Sequence, residues 1–238
     1  MATILFMGDS YGVPNYYGPP GVDAHYHVTE LLAAQGHTIH CTSSNGDSNL
    51  SAINRASSHV SGLQILDGCK PRVTRYIQGA PPDTKFDLIV WFHTAILRDY
   101  PNDAVRVSAE KLIPELAHRV YNNFAQFVQP LNTKTFVIGG AAAVDVDVLA
   151  LYHNPSLLWA DWKQDIVQQP LPPVQTMGAT WVFDLLDDSE EFKNQLVSDT
   201  AILMDHLIAH PEFPDNAHPG ILPHQQLADK ISDFLNCQ

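Results

Sequence analysis

The chain has 238 residues, 45% of them hydrophobic and 16% charged, with a formal net charge of −13. That apolar fraction fills a large core and excludes a disordered polymer, and the acidic balance leaves no basic patch for nucleic acid or an anionic membrane surface. Three widely spaced cysteines (Cys41, Cys69, Cys237) without a C-x-x-C exclude a zinc knuckle or redox pair and fit three ordinary thiols in a reducing compartment.

No run reaches the roughly 20 apolar residues of a membrane span. The N-terminal apolar stretch Thr3–Met7 lacks the length and basic flank of a signal peptide. A cytoplasmic protein is expected, with carriage in a virion or other export left open. No repeat, low-complexity run or Gly/Ser linker divides the chain, so a single domain over 1–238 is expected.

Short apolar runs alternate with amphipathic stretches, the pattern of β-α-β units and a mainly parallel sheet. Thr3–Met7 reads as the first strand, ending at Gly8, and an aromatic, Pro- and Gly-rich loop follows from Tyr11 to Pro20. Val28, Leu31 and Leu32 have helical spacing, with Gly36 as the stop. Thr38–Thr42 reads as a second strand, then a polar loop Ser43–Ser48 and a helix through Ile53. Between Val60 and Pro82 the pattern is ambiguous, with a short strand at Leu63–Leu66 as one reading. Asp87–His93 is continuously apolar at its centre, as a strand covered on both faces should be.

A long helix is expected over Asp103–Gln129, its core face formed by Leu112, Leu116, Val120, Phe124 and Phe127, with Pro114 bending it or marking its start. Thr135–Ile138 is a further strand. Ala141–Asp187, rich in proline, reads as irregular with one or two short helices, and two helices close the chain near Ser189–His210 and Pro223–Asn236. The expected fold is a three-layer α/β/α sandwich.

In such a sheet, ligands bind beyond the carboxyl ends of the strands. Gly8–Asp9–Ser10, Ser44–Asn45–Gly46 and His93–Thr94 follow the first three strands, and the polar segment Pro211–Leu222 supplies Asp215-Asn216-Ala217-His218-Pro219. A serine hydroxyl needs a base, itself oriented by a third group. Histidine titrates near neutrality, and a carboxylate fixes its tautomer. Despite twelve histidines, this is the only D-x-x-H in the chain, which sets it apart from chance.

Gly8–Asp9–Ser10 after an N-terminal strand, with Asp215-x-x-His218-Pro219 near the C-terminus, resembles the first and last signature blocks of the GDSL/SGNH hydrolases. The likeness spans nearly the whole chain in order and spacing. It implies a flavodoxin-like sandwich and cleavage of acyl esters by an esterase, lipase, thioesterase or deacetylase. It further implies Ser10 as nucleophile and oxyanion donor, His218 as base, Asp215 as its orienter and the Gly46 N–H as a second donor. The family's third block, Gly-x-Asn-Asp, is not matched: Trp91-Phe92-His93-Thr94-Ala95-Ile96 has no asparagine, leaving His93 or Thr94 to supply the third donor, or an incomplete hole. The second Gly-Asp-Ser, Gly46-Asp47-Ser48, follows a polar loop, and Ser48 is rejected as nucleophile.

Each residue has a plainer reading. Ser10 reads otherwise as a turn or helix-capping serine, Asp215–His218 as a loop-stabilising pair, Gly46 as a turn glycine, and His93 and Thr94 as the end of a buried strand. Tyr11, Tyr16 and Tyr17 line the substrate pocket or form a surface loop. Asp9 reads as structural, bonding loop amides. His25 and His27 point to opposite sides of a helix, and no metal or other cofactor is expected. The expected partner is a small-molecule, carbohydrate or lipid ester, with the oligomeric state open. A scaffold of this fold without catalysis is the rival class, favoured by the absent asparagine.

Overall fold

The computed structural model describes residues 1–13, 27–44, 46–67, 76–99, 109–140, 142–162 and 221–237. Tertiary contacts group the chain into two compact units, Met1–Val13 with Ala33–Lys163, and Pro14–Leu32 with Gln164–Gln238.

The first unit is built on a five-stranded sheet in the order β2-β1-β5-β6-β7, every neighbouring pair parallel. Its strands are β1 (Thr3–Gly8), β2 (Thr38–Cys41), β5 (Leu88–His93), β6 (Lys134–Gly139) and β7 (Leu157–Trp159). The short strands β3 (Ile65–Leu66) and β4 (Tyr76–Ile77) pair antiparallel as a separate ribbon. Counting only the strands of the main sheet, the order is the 2-1-3-4-5 of flavodoxin-like doubly wound folds. The α/β class expected from the alternation of apolar runs is the class observed.

Alternation along the strands divides the core. Leu5, Met7, Ile89, Trp91 and Val137 pack with Ala52, Ile53 and Ala56 of α2 (Asn49–Val60) and with Val120, Tyr121, Phe124 and Val128 of α3 (Ala109–Val128). Ile4, Phe6, Leu88, Val90, Phe92, Phe136 and Ile138 point the other way, and none has exposed surface. With both faces covered, a strand needs apolar side chains at consecutive positions, which is why Leu88–Phe92 shows no polar alternation. Trp91 stacks on Phe124 at 4.2 Å between ring centroids.

Helix α2 runs seven residues beyond the expected end at Ile53. Ser48 caps it by accepting the Ser51 N–H at 3.3 Å, and Ala56 and His59 continue the buried stripe through a polar sequence. Helix α3 contains Pro114 as an exposed interior residue rather than as its start. The strand β7 falls where irregular structure was expected: three residues on the sheet edge, after Pro155, are too short for a periodic signal. The described part of the same stretch holds a short helix, α4 (Val146–Ala150), capped by Asp145. The expected helix at 189–210 lies outside the described residues.

Helix α1 (Val28–Ala34), which belongs to the second unit up to Leu32, begins at His27, whose carbonyl accepts the Glu30 and Leu31 N–H groups. The first orphan N–H of the helix, that of Val28, donates to Nδ1 of His224 at 3.4 Å. The rings of His27 and His224 pack at 4.4 Å. His224 belongs to α5 (Ile221–Asn236), which buries Leu227, Ala228 and Ile231. Among the described residues no helix is long and apolar enough to cross a membrane.

Removing the Phe124 ring leaves a cavity against Trp91. Phe124→Ala is expected to cost about 3–5 kcal/mol, read as a lower urea midpoint with an unchanged slope.

Candidate active site at the carboxyl edge of the sheet

From β1 the chain passes to β2 on one side and then returns to β5 on the other, so the order reverses between β1 and β5. Ligands of open α/β sheets bind at this reversal, beyond the strand ends. The pairing of Gly8 with Phe92 is the last registered pair of these two strands. Ser10 and Thr94 each lie two residues beyond it, on adjacent strand exits.

Position 8 accepts only glycine, because its φ is +140° and a Cβ would fall 2.5 Å from the Phe92 carbonyl oxygen. After it, Ser10–Gly12 forms a single 3-10 turn closed by the Gly12 N–H on the Asp9 carbonyl at 3.0 Å. Asp9 holds this turn from beneath. Its Oδ1 accepts the Tyr11 N–H at 3.1 Å and its Oδ2 the Arg98 guanidinium at 3.2 Å. Asp9 thus bonds a loop amide, as the sequence reading expected, and an arginine besides. Its carboxylate has no exposed surface, whereas the Arg98 side chain is 42% exposed. Arg98 comes from a second 3-10 turn, Ile96–Asp99, immediately beyond β5.

The next residue of that turn, Asp99, caps α2. Its Oδ1 accepts the Leu50 N–H at 2.7 Å and its Oδ2 the Asn49 N–H at 3.3 Å and the Asn49 amide at 3.0 Å. A carboxylate at a helix N-terminus satisfies orphan donors and complements the dipole. The Asn49 side chain then pairs with both backbone groups of Thr94, donating to its carbonyl at 2.9 Å and accepting its N–H at 2.9 Å. Neither Asn49 nor Asp99 is singled out by the sequence, although a Ser-Asn pair opening a helix is a capping signal.

His93 and Thr94 part company here. His93 alternates with Ile89 and Trp91, so it faces α3 and is 1% exposed. The Tyr121 hydroxyl oxygen accepts the Asp145 N–H at 3.0 Å, and its proton goes to His93 Nε2 at 3.2 Å. Nδ1, which faces the Ala142 carbonyl at 3.4 Å, therefore carries the ring proton. Both nitrogens are spent inside the fold, so His93 has no donor for an oxyanion, which corrects that expectation. Burial lowers its pKa to about 4 and raises that of Tyr121 to about 12. Thr94 has its backbone satisfied by Asn49, yet its Oγ1 is buried without a partner among the described residues.

Gly46 sits in a turn closed by the Asp47 N–H on the Ser44 carbonyl at 3.3 Å, in the left-handed region at φ +71°. Its turn role is therefore definite. Beside it, burial raises the Asp47 pKa to about 6, against the attraction of Arg55 at 3.2 Å and with a further upward push from Asp9. Tyr11 is 6% exposed, and its ring lies over Gly140 rather than in the open. Tyr16, Tyr17, Asp215 and His218 lie outside the described residues, as does the side chain of Ser10. No group of three or more candidate metal-ligating side chains occurs among the described residues.

No protein-family model matches the sequence, and no curated protein does. Among solved structures, the chain is similar in fold to LAE5, an α/β hydrolase enzyme from the metagenome of Lake Arreo, Spain. The TM-score is 0.51 at 15% identity, over 99% of this chain and 95% of that one.

Because the folded His93 pKa lies near 4 and the unfolded one near 6.5, the unfolded chain takes up the proton first as pH falls. Stability from this group is present above pH 6.5 and lost towards pH 4, by about 3 kcal/mol at about 1.4 kcal/mol per pH unit. Burial shifts His40, His59 and His153 in the same direction. Asp47, with its raised value, works oppositely. Urea unfolding between pH 7 and 4 is expected to show a shallower decline for His93→Gln than for the parent chain.

Proposed function

We propose that the chain is a serine hydrolase cleaving acyl esters, with Ser10 as nucleophile, His218 as general base and Asp215 as the group that orients it. The observation that carries this reading is the Gly8–Asp9–Ser10 turn. It leaves β1 at the order reversal of a parallel sheet, anchored by the buried Asp9 carboxylate. The late Asp215-x-x-His218-Pro219 motif supplies the remaining two groups by sequence, and LAE5, of similar fold, is described as an α/β hydrolase enzyme.

In the proposed reaction His218 removes the Ser10 proton as Oγ attacks the ester carbonyl. The tetrahedral intermediate collapses with protonation of the alcohol by His218, leaving an acyl-serine. Water, deprotonated by the same imidazole, attacks this ester, and the carboxylic acid departs as Ser10 recovers its proton. The Ser10 and Gly46 N–H groups and the Thr94 side chain are the proposed oxyanion donors. No cofactor enters these steps. The proposed setting is a single cytoplasmic domain acting on a small-molecule, carbohydrate or lipid ester. The rival reading, a scaffold that binds without turnover, draws on the absent third-block asparagine.

Ser10→Ala is expected to abolish cleavage of p-nitrophenyl acetate and labelling by a fluorophosphonate. Ser48→Ala keeps turnover and loses only about 1 kcal/mol of helix capping. Folded parent protein that neither cleaves short-chain, long-chain, thioester or acetyl-sugar substrates nor takes the label would favour the scaffold.

A further inference from the structure

Between β2 and α2 the chain passes beyond the carboxyl edge, and two links tie this excursion to the exit of β1. The Ser44 N–H donates to the Gly8 carbonyl at 3.1 Å, continuing the pairing of β1 with β2 past its last registered residue. The Asp47 carboxylate feels the charge of Asp9, which itself holds the Ser10 turn. Gly46 lies open between these two links. It is exposed, and a Cβ there would meet nothing within 4 Å.

From the other side the turn is held by Arg55 of α2. Its Nε–H goes to the Thr42 carbonyl at 3.1 Å, and its Nη2 donates to the Leu66 carbonyl of β3. Asp47 Oδ2 lies 3.2 Å from the same Nε, buried and without a hydrogen bond among the described residues. Two carbonyls therefore fix the guanidinium, which attracts Asp47 by charge alone. Neutralising the carboxylate removes that hold and leaves Arg55 in place. The charged groups facing Asp47 are Arg55 from α2 and Asp9 from the exit of β1, the latter paired with Arg98 of the turn after β5.

Resting on the hydrolase reading, we propose that Arg55 is a positioning residue that holds the Gly46 turn, through the charge of Asp47, where its N–H serves the oxyanion. A donor fixed in advance stabilises developing charge most strongly, and a misplacement of about 1 Å can cost about 10²-fold in rate. Burial raises the pKa of Asp47 to about 6, against the pull of Arg55 and with a further push from Asp9. Above that pH the carboxylate is charged and the turn is held. Below it the turn is released, so turnover carries a second acid limb besides that of His218.

The test compares the parent with Asp47→Asn, which is neutral at every pH and leaves both carbonyls of Arg55 occupied. With p-nitrophenyl acetate at pH 8, kcat of the variant is expected to fall about 10-fold with KM nearly unchanged, less than the about 10²–10³ of losing a donor outright. At pH 5 the parent's Asp47 is itself neutral, so the ratio of the two kcat values is expected to return towards one. His218 titrates in both proteins and cancels from that ratio. A merely structural carboxylate would move Tm and leave the ratio flat.

Arg55→Lys keeps the charge and is expected to retain more kcat than Arg55→Met, which adds little to Asp47→Asn in the double variant. Should Arg55→Met fail to fold, the pH dependence of Asp47→Asn carries the test. Parental kcat in Asp47→Asn at pH 8, or a ratio unchanged between pH 8 and 5, would overturn the proposal while leaving the hydrolase intact. Absence of both turnover and Ser10 labelling in the parent protein would remove the hydrolase reading, and the proposal with it.

Discussion

The pairing of β1 with β5 depends on a missing side chain. At Gly8 the two backbones approach so closely, and the chain turns so sharply, that a single Cβ would meet the carbonyl of Phe92. Without that approach the two strands could not leave the sheet side by side. The turn at Ser10 and the turn that carries Arg98 and Asp99 would then lose their common edge. The close packing of Gly12 over Ser43 repeats the constraint one turn later. Glycine's cost in chain entropy is accepted here because no other residue reaches the geometry.

Around that edge the fold spends its polar groups economically. Asp9 is stripped of water, which is tolerable only because an amide and a guanidinium occupy its two oxygens. Breaking a fully buried pair from one side costs about 3–5 kcal/mol. The half-exposed Arg98 lowers that figure here, since water takes over part of its role. Asn49 meets Thr94 with the donor–acceptor pattern of a neighbouring strand, extending the sheet's bonding past its last registered residue. His93, by contrast, is consumed by Tyr121 and Ala142 and belongs to the core between sheet and α3.

The apolar runs at Thr3–Met7 and Leu88–Phe92 were legible as strands because burial on both faces leaves no room for polar alternation. Gly36, with φ at +90°, was legible as a helix stop. Less legible were elements whose identity is set by distant partners. β7 is three residues held on an edge by β6. The last half of α2 looks polar, and its burial rests on Ala56 and His59, with Val60 partly buried beside them. At the site, the turn after β1 could be read from its motif. The inward direction of His93 could also have been read, since it shares parity with Ile89 and Trp91. The Asn49–Asp99 clamp could not: its two partners are 50 positions apart, and each is an ordinary capping residue by itself.

The imidazole of His224 closes the start of a helix made 196 positions earlier. During synthesis, then, the Val28 amide has only water as a partner until 196 further residues have been made. Contacts so remote in sequence are slow to form because the intervening chain must first be confined. The opening turn of α1 is thus expected among the last parts to become native, however early it is translated.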